Sequence, residues 1–124
     1  MSKILVVDDN QDFVRILSQR LESEGFETSA AYEGVRGIEM AHKIKPDLIL
    51  LDLKMPVGTG QSVLNNLKSH WETEKIPVIV ITALNKSDVE EEVMSAGALD
   101  IFTKPLNEKL LLVKIHSLLQ QPRP

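Results

Sequence analysis

Short unbroken apolar runs recur along the chain with amphipathic stretches between them, the pattern of βα units feeding a parallel sheet buried on both faces. Five runs stand out: Ile4 to Val7, Phe26 to Ala31, Leu48 to Leu51, Val78 to Ile81 and Leu99 to Phe102. Glu27, Thr28 and Ser29 interrupt the second, as suits an edge strand with one wet side. Helical spacing predicts a first helix from Asp12 to Glu24, with Phe13, Ile16, Leu17 and Leu21 on one face and Gly25 ending it in the left-handed conformation. A second covers Val35 to Lys43 and stops before Pro46. Met55-Pro56-Val57-Gly58-Thr59-Gly60 reads as a loop, and Ser62 to Trp71 as a third helix carrying Val63, Leu64 and Leu67. The fourth, Ser87 to Ser95, takes Ser87 as N-cap and Gly97 as terminator. Its run Glu90-Glu91-Glu92 reads as a solvated face, because consecutive helical residues point in different directions. The last helix, Asn107 to Gln120, carries an apolar stripe from Leu110 to Leu119 that is too wide for one buried face. Either it sinks deeply into the domain or it keeps apolar surface for a partner.

Length and composition narrow the classes. With 124 residues, 43% of them hydrophobic, the chain supports one core, so residues 1–120 read as one domain and 121–124 as a tail or the start of a linker. A net charge of −4 with scattered basic residues lacks the footprint that binding a phosphate backbone requires, so no nucleic-acid partner is expected. The absence of cysteine excludes disulfide frameworks and thiolate metal sites and fits a reducing compartment. No apolar stretch is long enough for a membrane span, and Met1 to Gln11 holds two aspartates where a signal peptide needs a basic start. A cytoplasmic location without membrane association is expected. Gly58-Thr59-Gly60 is half a dinucleotide fingerprint without its third glycine. His42, His70 and His116 are isolated in sequence and read as surface or packing residues.

The chemistry collects at the predicted strand ends, where open α/β sheets place ligands. The first strand runs into Asp8 and Asp9, the third into Asp52, the fourth into Thr82, and the fifth, after Thr103, into Lys104-Pro105. Singly these residues have plain roles: Asp8 or Asp9 as the cap of the first helix, Asp52 as a turn former, Thr82 as a strand end. Together they form three carboxylates, a hydroxyl and an ammonium on one edge. Two carboxylates about 4 Å apart repel by about 4 kcal/mol at an effective dielectric of about 20, so the trio requires compensating charge or protons. A divalent cation and Lys104 neutralise it, and oxygen donors with room for water favour Mg²⁺. Such a cationic pair suits a phosphoryl group, with Asp52 as a nucleophile that forms an acyl phosphate.

These residues carry a family resemblance. Ile4-Leu5-Val6-Val7-Asp8-Asp9, Leu50-Leu51-Asp52-Leu53-Lys54-Met55-Pro56 with Gly60, Val80-Ile81-Thr82-Ala83 and Ala96-Gly97-Ala98-Leu99-Asp100-Ile101-Phe102-Thr103-Lys104-Pro105 resemble, in order and spacing, the receiver domain of two-component response regulators. The resemblance implies a single-domain, doubly wound, flavodoxin-like α/β fold with five parallel strands in the order 2-1-3-4-5 and helices on both faces, an order for which a member of this family is a standard example. It implies that Asp52 accepts a phosphoryl group from the phosphohistidine of a sensor kinase or histidine phosphotransfer protein. Asp9, Asp8 through water, Asp52 and the backbone carbonyl of Lys54 would hold Mg²⁺. Lys104, held in place by a cis Lys104-Pro105 bond, would pair with phosphoryl oxygens, and Ala83 would leave them room. It further implies a switch in which Thr82 moves inward and Phe102, Phe where Tyr is frequent, turns into the vacated space. That reshapes the surface of helix 4, strand 5 and helix 5 for a downstream protein, a fused output domain or a homodimer. The plain alternative is a permanently buried Phe102. Such a chain is a signalling phosphoacceptor that catalyses its own phosphorylation and slow dephosphorylation. Lys54 and Leu84 flank the pocket, and apolar Leu84 is expected to slow hydrolysis by keeping water from the acyl phosphate.

Two other functions use similar parts. An aspartate-nucleophile phosphohydrolase of the haloacid dehalogenase type expects two aspartates separated by one residue and a cap, whereas Asp8 and Asp9 are adjacent. A receiver-like interaction module that is never phosphorylated would lack one acidic, threonine or lysine position, and all are present.

Overall fold

A computed structural model of the chain describes residues 1–54 and 60–119. The elements run β1 (Lys3–Val7), α1 (Gln11–Ser23), β2 (Glu27–Ala31), α2 (Gly34–Ile44), β3 (Leu48–Leu51), α3 (Gly60–Ser69), β4 (Val78–Thr82), α4 (Lys86–Ser95), β5 (Asp100–Thr103) and α5 (Glu108–Leu119). The strands form one parallel sheet in the order β2-β1-β3-β4-β5, as the resemblance implied. β1 registers Val7 against Leu51 of β3, and β4 registers Thr82 against Thr103 of β5. The strand ends that carry the candidate chemistry are thereby brought to one edge.

Side chains alternate across a strand, so each apolar run feeds two layers. Leu5, Val7, Ile49, Leu51 and Val80 pack with Val63, Leu64 and Leu67 of α3 and Val93 of α4. Ile4, Val6, Leu48, Leu50, Ile79 and Ile81 pack with Val14, Leu17 and Leu21 of α1 and Leu111, Leu112 and Ile115 of α5. Burying each such side chain is worth about 1.5–3 kcal/mol, which is why unbroken runs rather than alternating ones specify these strands.

Several expectations shift. Helix α1 turns Val14, not Ile16, into the core, leaving Ile16 exposed, because positions 14, 17 and 21 satisfy the same helical spacing. Asn10, rather than Asp8 or Asp9, caps it, its side-chain oxygen accepting the Phe13 N–H at 3.1 Å. Asn85 rather than Ser87 occupies the N-cap of α4. β5 begins one residue late, and Leu99 lies exposed before it. Helix α3 begins at Gly60 and ends at Ser69, leaving Trp71 beyond it and 80% exposed. The wide stripe of α5 divides: Leu111, Leu112 and Ile115 are buried while Leu110 and Val113 remain on the surface. Positive φ at Gly25 and Gly97 ends α1 and α4 as anticipated. Residues 55–59 of the anticipated loop, Gln120 and the tail lie outside the described residues.

One side chain of α3 ties two connections together. The Lys68 ammonium donates to the carbonyls of Glu74 and Ile76 at 2.9 and 2.7 Å. Its stem passes under Gly97, where an added Cβ would meet Cγ at 3.1 Å. Burial lowers the Lys68 pKa below the ordinary lysine value. Among the described residues, no helix is long and apolar enough to cross a membrane.

Candidate functional site

Each site residue sits where a strand hands over to its loop. The Asp8 N–H donates to the Ala31 carbonyl and the Asp52 N–H to the Val7 carbonyl, both at 3.0 Å, so the sheet ladder itself fixes these backbones. The Lys104 N–H donates to the Thr82 carbonyl at 2.9 Å, and the Lys104–Pro105 bond is cis. Asp8, Asp52 and Thr82 are buried, whereas Asp9 is exposed. Helix α3 starts directly against the Asp52 turn, its Gly60 N–H donating to the Leu53 carbonyl at 2.9 Å. A Cβ at Gly60 would collide with the backbone of Asp52 and Leu53, so the site requires glycine there.

The side chains then meet. Carboxylate oxygens of Asp8, Asp9 and Asp52 all lie within 4.8 Å of one another. Lys104 Nζ donates to Asp8 Oδ2 at 2.8 Å and lies 3.6 Å from Asp52 Oδ2. Asp8 Oδ1 accepts the Asn10 N–H at 2.9 Å, and Asp52 Oδ1 accepts the Lys54 N–H at 3.1 Å. Thr82 Oγ1 accepts the Leu84 N–H at 3.2 Å. Burial raises the pKa of Asp52 above the ordinary carboxylate value. The Lys54 N–H opposes that rise, nearby Asp8 adds to it, and Lys104 and the Thr82 hydroxyl oppose it.

The structure therefore gathers Asp8, Asp9, Asp52, Thr82 and Lys104, with Lys54 joined through its backbone. Phe102 does not share this cluster. It is half-buried, packs on the layer formed by α1 and α5, and lines an open groove with Lys86, Ile101, Thr103, Pro105 and Leu110. Phe102 is thus neither fully buried nor free on the surface in this structure. Leu84 is partly exposed at the rim. His42 and His70, distant in sequence, have rings 5.5 Å apart, and His116 pairs with Glu24 at 2.8 Å beside Phe26. Among the described residues, the aspartate trio alone groups three or more acidic or histidine side chains closely enough to hold an ion. Its excess of hard oxygen donors in a partly buried pocket fits Mg²⁺.

One contributor escaped the sequence reading. Phe13, read as part of the apolar face of α1 and packed there against the core layer, also presents its ring to Lys104 Nζ, 4.2 Å from the centroid. The only forewarning was its place one turn after the aspartates, which names no partner.

Comparison with known proteins bears directly on this arrangement. The family model for the response regulator receiver domain matches residues 4–116. Response regulator PleD of Caulobacter vibrioides is 39% identical over 117 residues, covering 94% of this chain and 26% of PleD. Protein PilH of Pseudomonas aeruginosa is 34% identical, covering 96% of this chain and 98% of PilH. The signal receiver domain of a DNA-binding response regulator from Colwellia psychrerythraea superposes with a TM-score of 0.91 at 32% identity, covering 98% of this chain and 100% of that one. Against some relatives the chain spans only a quarter to a half of their length.

Proposed function

The chain belongs to the response regulator receiver domain family, and on that premise we propose that residues 1–120 act as a phosphoacceptor whose Asp52 takes a phosphoryl group from the phosphohistidine of a sensor kinase or histidine phosphotransfer protein. An Asp52 carboxylate oxygen forms a bond to phosphorus as the phosphorus–nitrogen bond of the donor breaks and the imidazole leaves. The observation that carries this reading is the convergence of three carboxylates within 4.8 Å around a lysine shared by two of them.

Asp8, Asp9 and Asp52, with the Lys54 carbonyl, would hold Mg²⁺, which when bound supplies positive charge against carboxylate and phosphoryl oxygens alike. Lys104 turns from its carboxylates toward the incoming oxygens and balances their charge. Phosphorylation replaces one negative charge at Asp52 by about two and adds acceptor oxygens. The Thr82 hydroxyl, already near Asp52, follows those oxygens inward and draws its loop with it. Phe102 then turns into the vacated space and alters the α4, β5 and α5 surface, where exposed Leu110 and Val113 offer apolar contact to an output partner. Such a switch requires a preference of only a few kcal/mol for one of two existing states.

Intact mass after treatment with phosphoramidate and Mg²⁺ tests the reading. Wild type gains one phosphoryl group and Asp52→Asn gains none; an adduct on both would move the acceptor elsewhere.

A further inference from the structure

The geometry points to Phe13 as the residue that positions the Lys104 ammonium for transfer between carboxylate and phosphoryl oxygens, a role that rests on Asp52 being the acceptor. Among the described residues the ammonium meets Asp8 Oδ2 at 2.8 Å, Asp52 Oδ2 at 3.6 Å and the Phe13 ring, its centroid 4.2 Å away. Lys104 is largely withdrawn from solvent, its side chain 19% exposed, so the ring occupies a side of the ammonium that water would otherwise solvate.

The contacts close into a circuit. Asp8 Oδ1 accepts the Asn10 N–H, Asn10 Oδ1 accepts the Phe13 N–H, the Phe13 ring faces Lys104 Nζ, and Nζ donates to Asp8 Oδ2. The aspartate that binds the lysine therefore also sets, through the helix cap, the ring that faces it. The ring also packs against the core layer of α1 and α5, and with Ile16, Leu17, Lys104, Pro105 and Leu106 it lines a cleft beside the ammonium.

A ring face suits a cation that must change partners. Its attraction comes from the quadrupole and is broad over the face, so the ammonium keeps it while exchanging a carboxylate for a phosphoryl oxygen. A third carboxylate would bind the ammonium too firmly to release it, and an aliphatic side chain would leave that flank without attraction. In this role Phe13 acts through Lys104 rather than on the phosphoryl group itself.

The test compares wild type, Phe13→Leu and Phe13→Tyr. Leucine keeps apolar bulk in the cleft and removes the ring face, while tyrosine keeps both. With phosphoramidate and Mg²⁺, phosphorylation of Phe13→Leu is expected to slow about three- to ten-fold, and that of Phe13→Tyr to stay within about two-fold of wild type. Independently of turnover, the Lys104 ε-methylene protons resonate upfield under the ring current in wild type and Phe13→Tyr, and return to the ordinary lysine position in Phe13→Leu, with the amide spectrum confirming the fold. Equal rates in wild type and Phe13→Leu, equal slowing in both variants, or an ordinary Lys104 resonance in wild type would each overturn the role of Phe13 alone. A wild-type chain that takes up no phosphoryl group would instead overturn the acceptor reading and this role with it.

Discussion

Replacing Asp52 with asparagine should stabilise the fold while abolishing the proposed reaction. At the 4.8 Å that bounds the carboxylate spacing, each neighbouring carboxylate repels Asp52 by about 3.5 kcal/mol at an effective dielectric of about 20. Lys104 at 3.6 Å offsets about 4.6 kcal/mol on the same basis. Asp9 is exposed, so water screens much of its share. The remainder, with the cost of burying Asp52, leaves about 1–2 kcal/mol to be relieved by a neutral amide that can still accept the Lys54 N–H. Urea denaturation at neutral pH in chelator measures it as a raised midpoint at unchanged slope.

The pH dependence supplies a second reading of the same charge. Burial holds the Asp52 pKa above its ordinary 3.8, so the folded chain binds this proton more readily than the unfolded one. Stability linked to the group is fully present below the ordinary value and is lost as pH rises through the raised one. Wild type therefore falls behind Asp52→Asn across that acidic window, and the gap is complete at neutral pH. Saturating Mg²⁺ narrows it by binding the intact trio in the folded state. An asparagine variant no more stable than wild type in chelator, or an advantage that grows as pH falls, would refute the charge argument.

Gly60→Ala should destabilise by about 1–3 kcal/mol and slow phosphorylation, since the new methyl meets the Asp52 and Leu53 backbone; urea titration and phosphoramidate kinetics would show both. Thr82→Ala should cost about 1 kcal/mol by leaving the Leu84 N–H without its acceptor. It should still accept phosphoryl while losing the accompanying shifts in Phe102 resonances. Leu84→Glu should speed loss of the phosphoryl group, because a polar chain at this partly exposed rim admits and orients water; an unchanged decay by intact mass would remove Leu84 from the account.

Much of this was legible in the chain before the fold. Leu48 to Leu51 and Val78 to Ile81 are too apolar for any place but a doubly covered sheet, and the polar residues that follow them fall on one edge by topology. What failed was local competition between equals. Asp8, Asp9 and Asn10 can all cap a helix, and the two aspartates are committed to the cluster, so the cap falls to Asn10. Ile16 and Val14 both suit a helical stripe, and only packing on the sheet decides between them. The pairing of Phe13 with Lys104 joins segments at opposite ends of the chain, and no periodicity within either one announces it.

Helix α4 is secured unequally at its two ends. Near its C-terminus Val93 is fully buried and Gly97 rests on the stem of Lys68, whereas Asn85 at the start forms no side-chain cap. Force applied at the Thr82 loop would therefore reach first the end that lacks a side-chain cap, held there by half-buried Val89, and find a firmer fulcrum at the far one. Helix α4 would swing as a lever rather than slide, with the largest travel beside the groove that Lys86 and Phe102 share.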